Sequence, residues 1–219
     1  MGQPAFVKIE YRIKSVYIPE WHFFRSKLWL WFKLSLVLFL ISLTLFFLFF
    51  SYQPTVAETL KRKGGPLVRE PGHLDAGLHS DSLKQMSIYF IHNLQACLLQ
   101  IASGLIPFLF LPFVSVILSG FIDAVFLATW NLFGSDLLDV YLTTVFPHAI
   151  FEYAGIFYSA GLGMFLCGDL SKKVLGRDRK DSLTLLTGIK QVSRSYIFVI
   201  IPLFAIAAIM EVLITPLFN

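Results

Sequence analysis

Apolar residues gather into long runs that short polar stretches separate. Residues 28–50, 87–110, 113–133, 142–166 and 196–217 each read as one such run. Each is near the roughly 20 residues an α-helix needs to cross a bilayer. The pattern therefore predicts an all-α, polytopic transmembrane bundle of about five spans. Residues 1–27 break the pattern as a basic, cytoplasmic or interfacial segment. The stretch "IPEWHFFRSKLWLWFK" sets aromatics beside cations, as segments at the membrane interface do. The 28–50 run is longer than the roughly 7–15 residue core of a signal peptide, and is read as an uncleaved first helix. Residues 51–86 hold Gly, Pro and both signs of charge, which predicts a polar loop. Residues 87–219 then form a four-span core. Pro112 in "FLPF" allows a tight reversal between the second and third spans. "GSDLLD", residues 134–139, predicts a short acidic turn. In the basic loop 167–195, "DSLTLLTGIKQV" spaces its apolar residues helically and is expected to lie on the membrane surface.

Composition sharpens this picture. The chain is 56% hydrophobic and 15% charged, with a mean hydropathy of +0.71. Globular chains carry about 25% charged residues. So little polar surface cannot cover a soluble core of 219 residues. Cys97 and Cys167 both sit in apolar runs, away from metal-ligand spacing, and read as two buried small residues.

The net charge is +4, and no Lys or Arg falls between Lys84 and Lys172. Cations lie in the connections and aromatics in the apolar runs, so nucleic acid is not an expected partner. The lipid bilayer is. Of the 18 Lys and Arg residues, 13 lie in the N-terminal segment (with Lys33) and in 167–195. Five spans with a cytoplasmic N-terminus put both stretches inside. The "KRK" of residues 61–63 would by itself prefer the same side. A four-span arrangement, with the first run not crossing, keeps the 51–86 loop inside.

Ionisable groups interrupt the last four spans: His92, Asp123, His148, Glu152 and Glu211, joined by the amides of Asn93, Gln95 and Gln100. A charge at the bilayer centre costs at least about 2.5–3.5 kcal/mol. No Lys or Arg in those spans can offset it. The side chains are therefore expected to turn inward as a polar cluster of His92, Asn93, His148, Glu152 and Glu211, neutralised by protons or hydrogen bonds. In "VFPHAIFEYAG" His148 and Glu152 are four apart, one helical turn, and within reach of each other. Pro147 is expected to kink that helix. Three uses of the cluster stay open: cross-helix glue, a proton or ion path, and catalysis or metal binding. H-x-x-x-E differs from the H-E-x-x-H zinc pattern, and neither G-x-S-x-G nor a P-loop occurs. His73, His79 and Asp75 are a further metal candidate in the polar loop. No enzyme activity, metal or cofactor is expected.

Gly155, Ser159 and Gly163 recur at four-residue steps. Such a small-residue stripe lets helices approach closely, either inside the bundle or between copies in a homo-oligomer.

"HNLQACLLQIASG", "FPHAIFEYAGIFYSAGLG" and "AAIMEVLITP" occur in this order on three spans. Together they resemble the stage II sporulation protein M family of membrane proteins. Asn93 takes the place of the second of the family's paired asparagines. His148 and Glu152 match its P-H-G-x-x-E stretch, and Glu211 with Thr215 and Pro216 its last motif. His92 in place of an asparagine, Ala149 in place of glycine and Ser119 before Gly120 mark a divergent member. The resemblance covers about 87–217 and implies a multi-span protein without known catalytic activity. In spore formers the namesake looks like a scaffold holding cell-wall-degrading partners. By that resemblance the chain is expected to be a scaffold of the bacterial cell membrane that organises other membrane or envelope proteins. A small transporter or permease subunit using Glu152, Glu211 and His148 is the alternative, and a membrane hydrolase built on His148 and Glu152 a third reading.

Overall fold

A computed structural model describes residues 5–53, 55–56, 59, 81–132, 136, 141–142, 146–176 and 185–213. Most of the polar loop with His73, Asp75 and His79, most of the 134–139 turn, and Thr215 with Pro216 lie outside them. The described residues form a helical bundle. Its helices are α1 (Ala5–Phe23), α2 (Trp29–Tyr52), α3 (Asp81–Ser103), α4 (Leu111–Leu132), α5 (Phe146–Val174), α6 (Leu185–Ser195) and α7 (Ile201–Leu213).

Two pairs of helices are continuous. A π-turn, Phe24–Leu28, joins α1 to α2, and another, Tyr196–Ile200, joins α6 to α7. The second ends just before Pro202, which has no N–H to give the preceding turn, so the helix widens there without breaking. Four stretches are long and apolar enough to cross a membrane: Lys14–Tyr52, Leu111–Asn131, Phe146–Val174 and Leu185–Glu211. The first has 39 residues. At about 1.5 Å per residue this far exceeds a hydrocarbon core of about 30 Å. Most of α1 must therefore stand beyond it. α3 is the fifth long helix, and its polar residues keep it out of the apolar set.

α5 is the axis, packed by α2, α3, α4 and α7. Apart from Ile156, its run from Gly155 to Cys167 is buried. The small residues make this central position physically available. A Cβ on Gly104 would sit 2.1 Å from the Gly163 carbonyl oxygen, so α3 and α5 touch backbone to backbone. A Cβ on Gly155 would meet the Phe204 ring of α7 at 2.7 Å. Gly163 and Gly155 are thus used inside this chain. Aromatic side chains fill the wider gaps: Phe39 of α2 packs on Tyr153 and Phe157 of α5.

Two boundaries and one expected kink differ from the sequence expectation. The second span does not run to residue 110. α3 stops at Ser103, and the reversal spans residues 104–110, with Pro112 already in the first turn of α4. Phe108 (φ 68°) and Phe110 (φ 49°) take left-handed backbone there, and the Phe108 N–H donates to Ser171 Oγ at 3.1 Å. The fourth span extends past residue 166 to Val174, because Lys172 and Lys173 at its last turn suit a helix C-terminus. Pro147 does not kink α5. It lies in the first turn, where its missing N–H costs nothing.

α1, the 104–110 reversal, the C-terminus of α5 and α6 gather at one end, as the Phe23–Phe165, Trp31–Phe113 and Phe108–Ser171 contacts show. Lys27, Lys33, Lys172, Lys190 and Arg194 share that end. α6 does more than float on a surface: Gly188, Val192 and Ser195 are buried, and Val192 joins the main core with Leu28, Leu162 and Phe204.

Candidate functional site

The polar groups of α5 are distributed over several neighbours. Glu152 faces α3, where Asn93 Nδ2 donates to its Oε1 at 2.7 Å. Tyr153, the next residue, is turned about 100° around the helix and faces α4. Its hydroxyl donates to Asp123 Oδ2. Ser159 lies nearly two turns further along. Its single proton has two acceptors in reach, Gln100 Oε1 of α3 and the Ile156 carbonyl. Gln100 in turn donates through Nε2 to the Pro112 carbonyl of α4 at 3.1 Å. Gln100 is 4% exposed and Ser159 0%, so this is a dry three-helix link. Such bonds are worth about 0.6–2 kcal/mol each in membranes.

Glu211 of α7 lies within electrostatic range of Glu152, and Asp123 acts on Glu152 more weakly. The structure thus brings Asn93, Glu152 and Glu211 into one half-buried layer of the bundle, toward the start of α5. His148 is half-buried one turn before Glu152. The bond between them that their spacing allows is not made: Glu152 is held by Asn93, and His148 Nδ1 is buried without a partner among the described residues. His92 does not join the layer. It is exposed, because α3 turns Asn93 inward and its neighbour necessarily points elsewhere. Among the described residues no three His, Cys, Asp or Glu side chains come together as a metal site would need. Cys97 and Cys167 are buried and free.

One polar cluster has no counterpart in the sequence expectations. Glu20 of α1 is 3% exposed and meets α6 through several contacts. Arg194 Nε reaches its Oε1 at 2.9 Å, Ser195 Oγ donates to Oε2 at 2.6 Å, and Gln191 Nε2 donates to Oε1 at 3.2 Å. Arg194 also donates to the Val16 carbonyl at 3.1 Å. Gln191, Arg194 and Ser195 lie at i, i+3 and i+4 on one helix face, which was the available signal. Tyr153, as the partner of Asp123, was also missed, since an aromatic in an apolar run looks like core. Near the same end of the bundle, an open cleft of about 160 Å³ is lined by Lys27, Trp31, Asp169 and Lys172 among others.

The family model described as Stage II sporulation protein M matches residues 35–216. The chain belongs to this family. No curated protein and no solved structure matches it. As a Stage II sporulation protein M family member it is a membrane protein built as a helical bundle. The match takes in Asn93, Asp123, Glu152, Tyr153 and Glu211. It begins inside α2 and leaves out Glu20, so the Glu20–Arg194 contact ties a segment before the match to one within it.

Proposed function

We propose that the chain is a non-catalytic, multi-pass scaffold of the bacterial cell membrane that organises other membrane or envelope proteins. In this reading α2, α3, α4, α5 and α7 cross the bilayer and the cation-rich end faces the cytoplasm, as the positive-inside rule asks. The observation that carries the reading is the use made of the intramembrane polar groups. Asn93 is bonded to Glu152, Asp123 to Tyr153, and Gln100 to Ser159 and Pro112, each across a helix contact. Groups committed to one another hold helices in place and are not free for a substrate. A rigid bundle presents fixed outer faces to partners. The test is cross-linking in native membranes followed by identification of the products. A scaffold yields the same few envelope proteins with wild type and with Glu152→Gln. Recovery of none would overturn the reading.

One observation favours a second reading, a small transporter or permease subunit. Glu152, Glu211 and Asp123 lie within electrostatic range, with the unpartnered His148 Nδ1 in the same part of the bundle. Proton- or ion-coupled flux through the reconstituted protein between about pH 5 and 8, the range of histidine, would support it. Flux lost in both Glu152→Gln and Glu211→Gln would place it at these acids.

A further inference from the structure

The outward face of α3 is unlike that of every other span. Midway along α2, α4 and α7 the exposed side chains are apolar: Leu34, Val37, Ile41 and Leu45 on α2, Ile117, Leu118 and Ile122 on α4, Ile206 and Ile209 on α7, with Thr44 the one exception. These faces suit lipid. α3 instead exposes His92 and Gln95 at its middle, and neither makes a hydrogen bond among the described residues. An amide left without partners in hydrocarbon costs several kcal/mol. Lipid alone is a poor cover for this face.

The surrounding positions describe what would cover it. Ile88, Ile91, Gln95, Leu98 and Ala102 are all exposed and repeat with the three-four spacing of a heptad. Ile88, Gln95 and Ala102 occupy one set of seam positions, Ile91 and Leu98 the other. Inward-facing Asn93, Cys97, Gln100 and Ile101 lie on the opposite side. A heptad seam is the pattern of a helix that packs along another helix, and a lone polar residue in it fixes register.

We propose that a second copy of this chain packs against α3 through the Ile88–Ile91–Gln95–Leu98–Ala102 seam. Two copies inserted in the same orientation are related by a two-fold axis along the membrane normal. Equal residues then meet at equal depth. Gln95 is the one seam side chain that is complementary to itself: Nε2 of each copy donates to Oε1 of the other. Apolar residues above and below close the seam, and Ala102 lets the helices converge at that end. The interface rests on α3 crossing the bilayer, as in that reading, but not on the scaffold role, and survives the failure of that role.

The test uses full-length protein in membranes with Cys97 and Cys167 replaced by Ala. Ile91→Cys and Leu98→Cys should each give a disulfide-linked dimer under mild oxidation, and Leu118→Cys on the outer face of α4 should not. Gln95→Leu should lower the dimeric fraction about 3- to 30-fold, and Gln95→Asn should retain most of it. Gln95 is exposed and makes no hydrogen bond among the described residues, so Gln95→Leu should elute as a folded protein. Single-step photobleaching of wild type, equal cross-linking at Leu118→Cys, or a dimer indifferent to Gln95→Leu would each overturn the proposal. A cross-link from Ile91→Cys to a different protein, with the chain otherwise single, would overturn it in favour of that partner.

Discussion

The most consequential residues in this bundle are small ones. Gly104 and Gly163 let α3 and α5 meet at backbone distance, and Gly104 has no room to give, because a Cβ added there would sit 2.1 Å from the Gly163 carbonyl oxygen. Gly104→Ala should therefore lower stability by well over the roughly 1 kcal/mol that an ordinary helical Gly and Ala differ by. Gly168→Ala, whose added methyl meets nothing within 4 Å, should leave it unchanged or raised. Thermal unfolding in mild detergent compares the two, and equal effects would refute the close approach. Asn93→Leu should cost about 1–2 kcal/mol, since it removes the bond to Glu152 and leaves that acid without its donor. Glu152→Gln keeps an acceptor oxygen and should cost less. The sequence displayed His148 and Glu152 as a pair, one turn apart. Which neighbour Glu152 selects depends on a residue 59 positions earlier, and spacing along one helix cannot reveal that.

Among the elements, α1 and α6 depend on each other. Glu20 is buried by its contact with α6 and has Arg194 as its cation. Removing one member of a buried pair costs about 3–5 kcal/mol. Arg194 is partly exposed, so the cost of Arg194→Ala should fall near the low end of that range. The expected local result is faster hydrogen exchange across 185–195 with α5 unchanged. The double variant Glu20→Gln with Arg194→Gln should recover part of the loss, because it leaves no unpaired charge. If α6 exchange is the same in Arg194→Ala and wild type, the clasp does not hold α6. Periodicity placed a helix near here, and its apolar spacing resembled an interfacial helix. Docking of Gly188, Val192 and Ser195 against the bundle was not visible, because the matching surface is supplied by α1 and α5.

For the whole molecule, the prediction concerns sidedness. With the cation-rich end in the cytoplasm, Lys180→Cys should react with an impermeant maleimide only after permeabilisation. Lys63→Cys should react from the outside in intact cells. Native Cys97 and Cys167 are buried and should give little background. Labelling of both positions from the same side would mean that α3, α4 and α5 do not all cross, and the reverse sidedness would discard the cytoplasmic placement of the cation-rich end.

What the sequence settled by itself was the solvent of each segment. Runs of about 20 apolar residues fix a helical, membrane-embedded class, since backbone groups in lipid must be satisfied within their own helix. The same runs, with three motifs in order, pointed to the Stage II sporulation protein M family. The tertiary structure alone decided which side of each helix faces protein. That choice puts Asn93 against Glu152 and Tyr153 against Asp123, buries Glu20, and leaves His92 and Gln95 outward. The physical reason is that hydropathy is nearly uniform around a membrane helix. Lipid and a packed core are equally apolar, so the side that turns inward is selected by steric fit and by hydrogen bonds between residues far apart in the chain.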